Sequence, residues 1–330
     1  MLFELLKYSF IVVIFCCLVA CISMPLDLQD DRLASLDTSY EIPKIPFYPQ
    51  VEDQCGPSSL ATMLDVQGIK ISPEQLRGKL YIPGKQGTLT TEMIARARRY
   101  GLLVYPLDPD IVNVLSEINA GNPVLVMQNL GFEWLPAWHF SVAFGYDLDR
   151  RTIFLRSGME FKQEMGFKLF LKTWERANLW AVVMVKPDRL PQTATAKGII
   201  HSANQLEQVG EVNAALQAYK AVLQKWPSKS IASFGAGNAA YALGDYVEAE
   251  QFFFDYLKLQ SNSSIAWNNL AYSFAEQGCI SEAEKAIQCA LEIDPENKNL
   301  LDSGLDISQY PARTSKSQCR QINCQLDDSL

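Results

Sequence analysis

Histidine is scarce in this chain, with only His139 and His201 among 330 residues. Two imidazoles and no clustered cysteines are too few for a usual zinc site, so metal-dependent chemistry is a poor reading. Positive charge is also in deficit: 29 Lys and Arg against 37 Asp and Glu give a formal charge of −8. No basic stripe is left to neutralise phosphates, which argues against a nucleic-acid partner. The apolar stretch Tyr8 to Ala20 falls short of the ~20 residues that a membrane-spanning helix needs. Cysteine is missing from the whole interval between Cys21 and Cys279, with the single exception of Cys55.

What is present begins with the N-terminus. Lys7 gives a modest positive start, the short apolar stretch follows, and Leu18-Val19-Ala20-Cys21 closes it. Such a segment reads as a processing signal over 1–20. Its end resembles the bacterial lipobox, which implies lipid on Cys21 as the mature N-terminus. An uncleaved anchor helix or a plain secretory peptide are the alternatives, and each places the bulk of the chain outside the cytoplasm. Ile22 after the cysteine, rather than aspartate, leans toward an outer membrane on the periplasmic side. A polar tether spans 21–41.

Cys55 lies in Gln54-Cys55-Gly56-Pro57-Ser58-Ser59, immediately before an apolar helix pattern. A thiol at a helix N-terminus meets unpaired backbone N–H groups and the positive end of the dipole, which favour thiolate. His139 opens an apolar strand pattern 84 residues later. A lone cysteine followed by such a histidine is the order of papain-like thiol hydrolases, with His139 as base. His201 falls in a helical repeat and reads as structural or surface. The chemistry calls for no cofactor.

Between 42 and 187 the pattern mixes elements. Helices are expected over 56–67, 73–80, 90–100 and 110–120, and strands over 102–106, 123–127, 138–146, 152–157 and 180–185. Helices first and strands later indicate an α+β domain with a largely antiparallel sheet. A linker at 188–195 follows. Beyond it, Gly210, Gly244 and Gly278 recur every 34 residues, as do Ala215, Ala249 and Ala283. Ala203, Gly237 and Ala271 keep the same step, and so do Tyr219, Phe253 and Ile287. A 34-residue helix-turn-helix period is that of the tetratricopeptide repeat, which predicts three units and a cap over 196–310. Stacked units create a concave face suited to a peptide or protein partner. The polar end, 311–330, reads as disordered. Pairing among Cys279, Cys289, Cys319 and Cys324 does not follow from their spacing.

The motifs Gln54-Cys55-Gly56-Pro57-Ser58 and His139-Phe140-Ser141-Val142-Ala143-Phe144-Gly145-Tyr146-Asp147 resemble those of the C39-like branch of papain-fold cysteine peptidases. With the lipoprotein signal and the repeats, the whole order is similar to a bacterial lipoprotein type of that family. The resemblance implies an extracytoplasmic cysteine peptidase acting on a peptide or protein. It also implies an oxyanion glutamine six residues before the cysteine, where this chain has Pro49; Gln50 is the expected substitute, Gln54 adjoining the thiol. A family aspartate after the histidine strand is replaced by Arg156-Ser157-Gly158. Asp147 lies ~26 Å along the strand from His139. A hairpin at 148–150 instead brings Ser157, or Glu160 if the register shifts, opposite the imidazole. The alternative function is a non-catalytic scaffold that recruits cell-envelope partners.

Overall fold

The computed structural model of the protein describes residues 30–50, 54–80, 88–311 and 319–325. The signal segment, Cys21 and the first part of the tether lie outside them. Strands β1 (Ser39–Glu41), β2 (Leu103–Pro106), β3 (Val124–Asn129), β4 (Trp138–Asp147), β5 (Thr152–Ser157), β6 (Glu160–Gly166) and β7 (Ala181–Val185) form one sheet. Its order is β2-β7-β3-β4-β5-β6, every pairing is antiparallel, and β1 lies beside the far end of β4. The first half of β4 therefore pairs with β3 and the second half with β1, while β5 runs along its other edge.

Helices cover both faces. Phe140 and Val142 of β4 pack with Leu60 and Leu64 of α1 (Cys55–Val66), Leu76 of α2 (Pro73–Leu80) and Met93 of α3 (Thr90–Arg98). Past a register shift between Ala143 and Gly145, Phe144 and Tyr146 join a second core. That core includes Val114 and Ile118 of α4 (Ile111–Asn119) and Phe170 and Trp174 of α5 (Phe167–Glu175). Burying each such side chain contributes roughly 1.5–3 kcal/mol. The early helices and later strands form the expected α+β domain; β1, β6 and α5 are additions to the sequence reading.

Seven consecutive helices follow: α6 (Ala196–Gln208), α7 (Val212–Lys225), α8 (Ser230–Ala242), α9 (Tyr246–Leu259), α10 (Ser264–Glu276), α11 (Ile280–Ile293) and α12 (Lys298–Ile307). Gly210, Gly244 and Gly278 turn each pair with φ between +78° and +86°, a region that glycine enters without strain. The small-residue register has a packing cause as well. A Cβ on Gly237 would stand 2.6 Å from the Phe253 ring.

The linker is folded onto the first domain. Glu117 of α4, fully buried, accepts from Gln192 N at 3.1 Å, Thr193 N at 2.7 Å and Thr193 Oγ1 at 2.6 Å. Ser202 of α6 donates to the Val104 carbonyl at 3.0 Å, and Arg98 of α3 donates to Gln205. At the other end, the expectation of a disordered tail is corrected over 319–325. Disulfides Cys279–Cys319 and Cys289–Cys324 hold this segment on the last unit, and Ile322 is buried there. Arg320 reaches Glu250 at 3.2 Å and lies over the Phe254 ring. Polar composition concealed a segment whose order comes from two crosslinks and one guanidinium.

Candidate active site

Cys55 is the first residue of α1 and is half-buried. The following glycine is required by space, since a Cβ on Gly56 would stand 2.6 Å from Thr88. One turn on, Ser59 is buried and donates to the Phe140 carbonyl at 3.2 Å. The first turns of α1 are thereby bonded to β4 at Phe140, the residue after His139.

His139 is half-buried at the start of β4, and its Nε2 lies 2.9 Å from Ser157 Oγ. The hairpin between β4 and β5 thus brings Ser157 to the imidazole. With Nε2 engaged, Nδ1 is the ring atom left to exchange a proton with the cleft. Burial holds the imidazole below its ordinary value of 6.5, which favours the neutral, unprotonated form at neutral pH. Behind it, on the same face of the sheet, runs a buried polar chain. Ser141 Oγ donates to Gln128 Oε1 at 3.1 Å, and Gln128 Nε2 donates to Thr173 Oγ1 at 2.7 Å.

Glu160 is exposed and stands across the tight β5–β6 hairpin from Ser157, so it does not take the place beside His139. Asp147 closes the other end of β4, where it accepts from Arg150 N at 2.8 Å. His201 is exposed on α6.

Gln50 occupies a different role from an open oxyanion donor. Its Nε2 donates to Ser59 Oγ at 3.0 Å and to the Phe140 carbonyl at 3.3 Å, which commits both amide hydrogens. Its Oε1 accepts from Gly158 N at 2.9 Å. The side chain ties α1, β4 and the Ser157-Gly158 turn together. Gln54 forms no side-chain cap on α1.

Arg156, buried between the Phe144 and Phe161 rings, adds to this brace. It donates to the Ile45 carbonyl at 2.8 Å and to that of Phe161, fixing the strand that leads to Gln50. Ser59, Gln128 and Arg156 were not singled out from sequence. The signal for Ser59 was available: a hydroxyl four residues after the cysteine, on the buried side of an apolar helix.

The repeat domain offers a second concavity. A groove of about 950 Å³ runs between α6 and α8, lined by Ile200, Asn204, Trp226, Ile231, Phe234 and Asn238 among others.

Residues 42–181 match the Peptidase_C39 like family, and residues 202–264 and 264–297 match tetratricopeptide-repeat models. The chain joins a C39-like peptidase domain to a C-terminal tetratricopeptide-repeat domain. It is similar to a C39-like peptidase structure from Bacillus anthracis, with 18% identity over 46% of this chain and 98% of that one, TM-score 0.39. It is also similar to the peptidase domain of Streptococcus ComA, a bifunctional ABC transporter of a quorum-sensing pathway. There the identity is 18% over 43% of this chain and 98% of that one, TM-score 0.35. The repeats are similar to the first such domain of Spaghetti (RPAP3) bound to an HSP90 peptide, at 19% identity over 34% of this chain and 90% of that one, TM-score 0.34. No curated protein matches the sequence.

Proposed function

We propose that the chain is a cysteine peptidase, anchored by lipid on Cys21 to the bacterial cell envelope on the extracytoplasmic, periplasmic side, whose repeats receive a peptide or protein. The observation that carries this reading is that His139 is held at Nε2 by Ser157 while α1, which begins at Cys55, is bonded through Ser59 to the next residue of the strand, Phe140. In it the Cys55 sulfur attacks a peptide carbonyl carbon, and His139 takes the thiol proton and returns it to the leaving amine. The Cys55 backbone N–H, at the start of α1, faces the developing oxyanion. Gln50 would join it only by releasing one of its two acceptors, so its first role is positioning. Two disulfides at the C-terminus favour an oxidising compartment, in keeping with an extracytoplasmic site.

A second reading, a non-catalytic scaffold, draws on one observation: a neutral serine, where a carboxylate would stabilise imidazolium, faces His139. Peptide hydrolysis by the purified chain separates the two. The peptidase reading expects turnover that disappears in Cys55→Ser and covalent labelling of Cys55 by a peptide-based electrophile. Native protein that neither turns over peptides nor labels at Cys55 would establish the scaffold instead.

A further inference from the structure

The loop between β3 and β4 presents its largest apolar side chains to solvent. Trp134 is 79% exposed, Phe132 and Leu135 flank it at 61% each, and Trp138 is 53% exposed beside His139. Met159 and Phe161, exposed at the β5–β6 turn, extend the patch on the other side of Ser157. Phe132 and Trp134 stack with centroids 5.6 Å apart.

The loop is not loose chain. Buried Asn129 accepts from Gly131 N at 3.0 Å and Ala137 N at 2.9 Å through one oxygen. Leu130 N donates to the Ala137 carbonyl, and Phe132 and Leu135 exchange backbone bonds at 3.0 and 3.2 Å. Pro136 has no N–H to satisfy. Gly131 is dictated by this folding, because a Cβ there would stand 2.4 Å from the Leu135 carbonyl. A turn with five of its N–H groups bonded internally and its aromatics outward suits an apolar–polar boundary, where unpaired N–H and C=O groups are costly.

We propose that the 130–138 loop is a bilayer-docking element that seats the candidate active site on a zwitterionic lipid surface. The inference rests on the anchoring read at Cys21. Only Ile22 to Gln29 separate that cysteine from the described fold, a reach of at most ~32 Å. The fold is entered beside the N-terminus of α4. Arg32 pairs with Asp110 at 2.7 Å, and Asp110 caps α4. Nearby Leu107 donates to the Ala181 carbonyl; Ala181 pairs with Val126, and Val126 with Ser141. These registers put Leu107 level with Ser141, three residues along β4 from Trp138, while β1 lies at the Asp147 end. The net charge of −8 gives no attraction to anionic lipid, so the contact is apolar. Substrates would then be peptides presented at the membrane surface.

The test uses the full chain on phosphatidylcholine vesicles brominated in the acyl chains, which quench tryptophan at membrane depth. The native protein should be quenched, with little dependence on salt. Trp134→Phe combined with Trp138→Phe should lose most of that quenching while the chain stays bound through its N-terminus. Phe132→Ser with Leu135→Ser should lower quenching of the retained tryptophans. Vesicle-bound protein whose tryptophans are unquenched overturns the docking alone. Protein that stays in solution overturns docking, and the mass of its N-terminal peptide tells whether acylation at Cys21 also failed. Burial of the loop against a second copy or an apolar peptide, with no quenching, overturns it too.

Discussion

Replacing Ser157 by aspartate should reverse the direction in which the fold shifts His139. In the native protein the imidazole lies below 6.5 because burial penalises its charged form. Ser157 Oγ is 2.9 Å from Nε2 and the residue is 6% exposed, so a carboxylate there would have its charge centre ~4 Å from the imidazolium. At an effective dielectric constant of ~20 the attraction is ~4 kcal/mol, part of which offsets the desolvation of the new carboxylate. Opposite charges at such range raise a basic group by about 1–3 units. His139 in Ser157→Asp should therefore titrate above 6.5. Imidazole NMR can follow this directly, since there are only two histidines and His201→Gln identifies the other. The stability profile should change sense as well. Native protein loses stability as pH falls through 6.5, because the unfolded chain takes up the proton first. In the variant, the pair contributes fully below the unfolded value and is lost as pH rises through the folded one. An unmoved titration in a folded variant would refute the Ser157–His139 contact on which the mechanism depends.

In the native protein, the acidic limb of peptide hydrolysis should lie below pH 6.5, measured as kcat/KM in the free enzyme. Gln50→Ala tests brace against oxyanion donor: a brace costs ~1–3 kcal/mol in chemical denaturation, whereas a donor costs ~10²–10³ in kcat with stability retained. Glu117→Gln sets an NH2 group against either the Thr193 donors or those of Gln192 and Asn122 and should destabilise by ~1–3 kcal/mol, with new protease cleavage in 188–195. Cys279→Ser with Cys319→Ser should lower stability by ~2–4 kcal/mol, read by thermal unfolding without reductant. Cys21→Ala should release the protein from membranes or leave its precursor unprocessed, checked by fractionation.

The repeat domain was legible because its constraints are local and periodic: Gly210, Gly244 and Gly278 turn with positive φ, and Gly237 yields to Phe253. The main strands were legible because each is a continuous apolar run. β6 was not, since an edge strand reading Glu-Phe-Lys-Gln-Glu-Met-Gly leaves most side chains in solvent. Ser157 was found through the reach of a hairpin, but the use made of Gln50 was not visible. Its two acceptors, Ser59 and the Phe140 carbonyl, lie 9 and 90 residues away in sequence. The tail at 319–325 escaped for a related reason, because crosslinks order it and composition does not reveal pairings.

The grip of Glu117 on Thr193 changes what a repeat domain can do for a peptidase. On a slack connector, a captured chain would sample the cleft at an effective concentration set by connector length, and any exposed stretch could be presented. Here the groove between α6 and α8 and the sheet bearing His139 are spliced through one continuous core that includes Tyr105, Ile199 and Ala203. On the proposed peptidase reading, the repeat would work as a ruler. A ligand gripped in the groove would offer one stretch of backbone to Cys55, selected by its spacing from the gripped segment, and a change in that spacing should alter which bond is reached without altering capture.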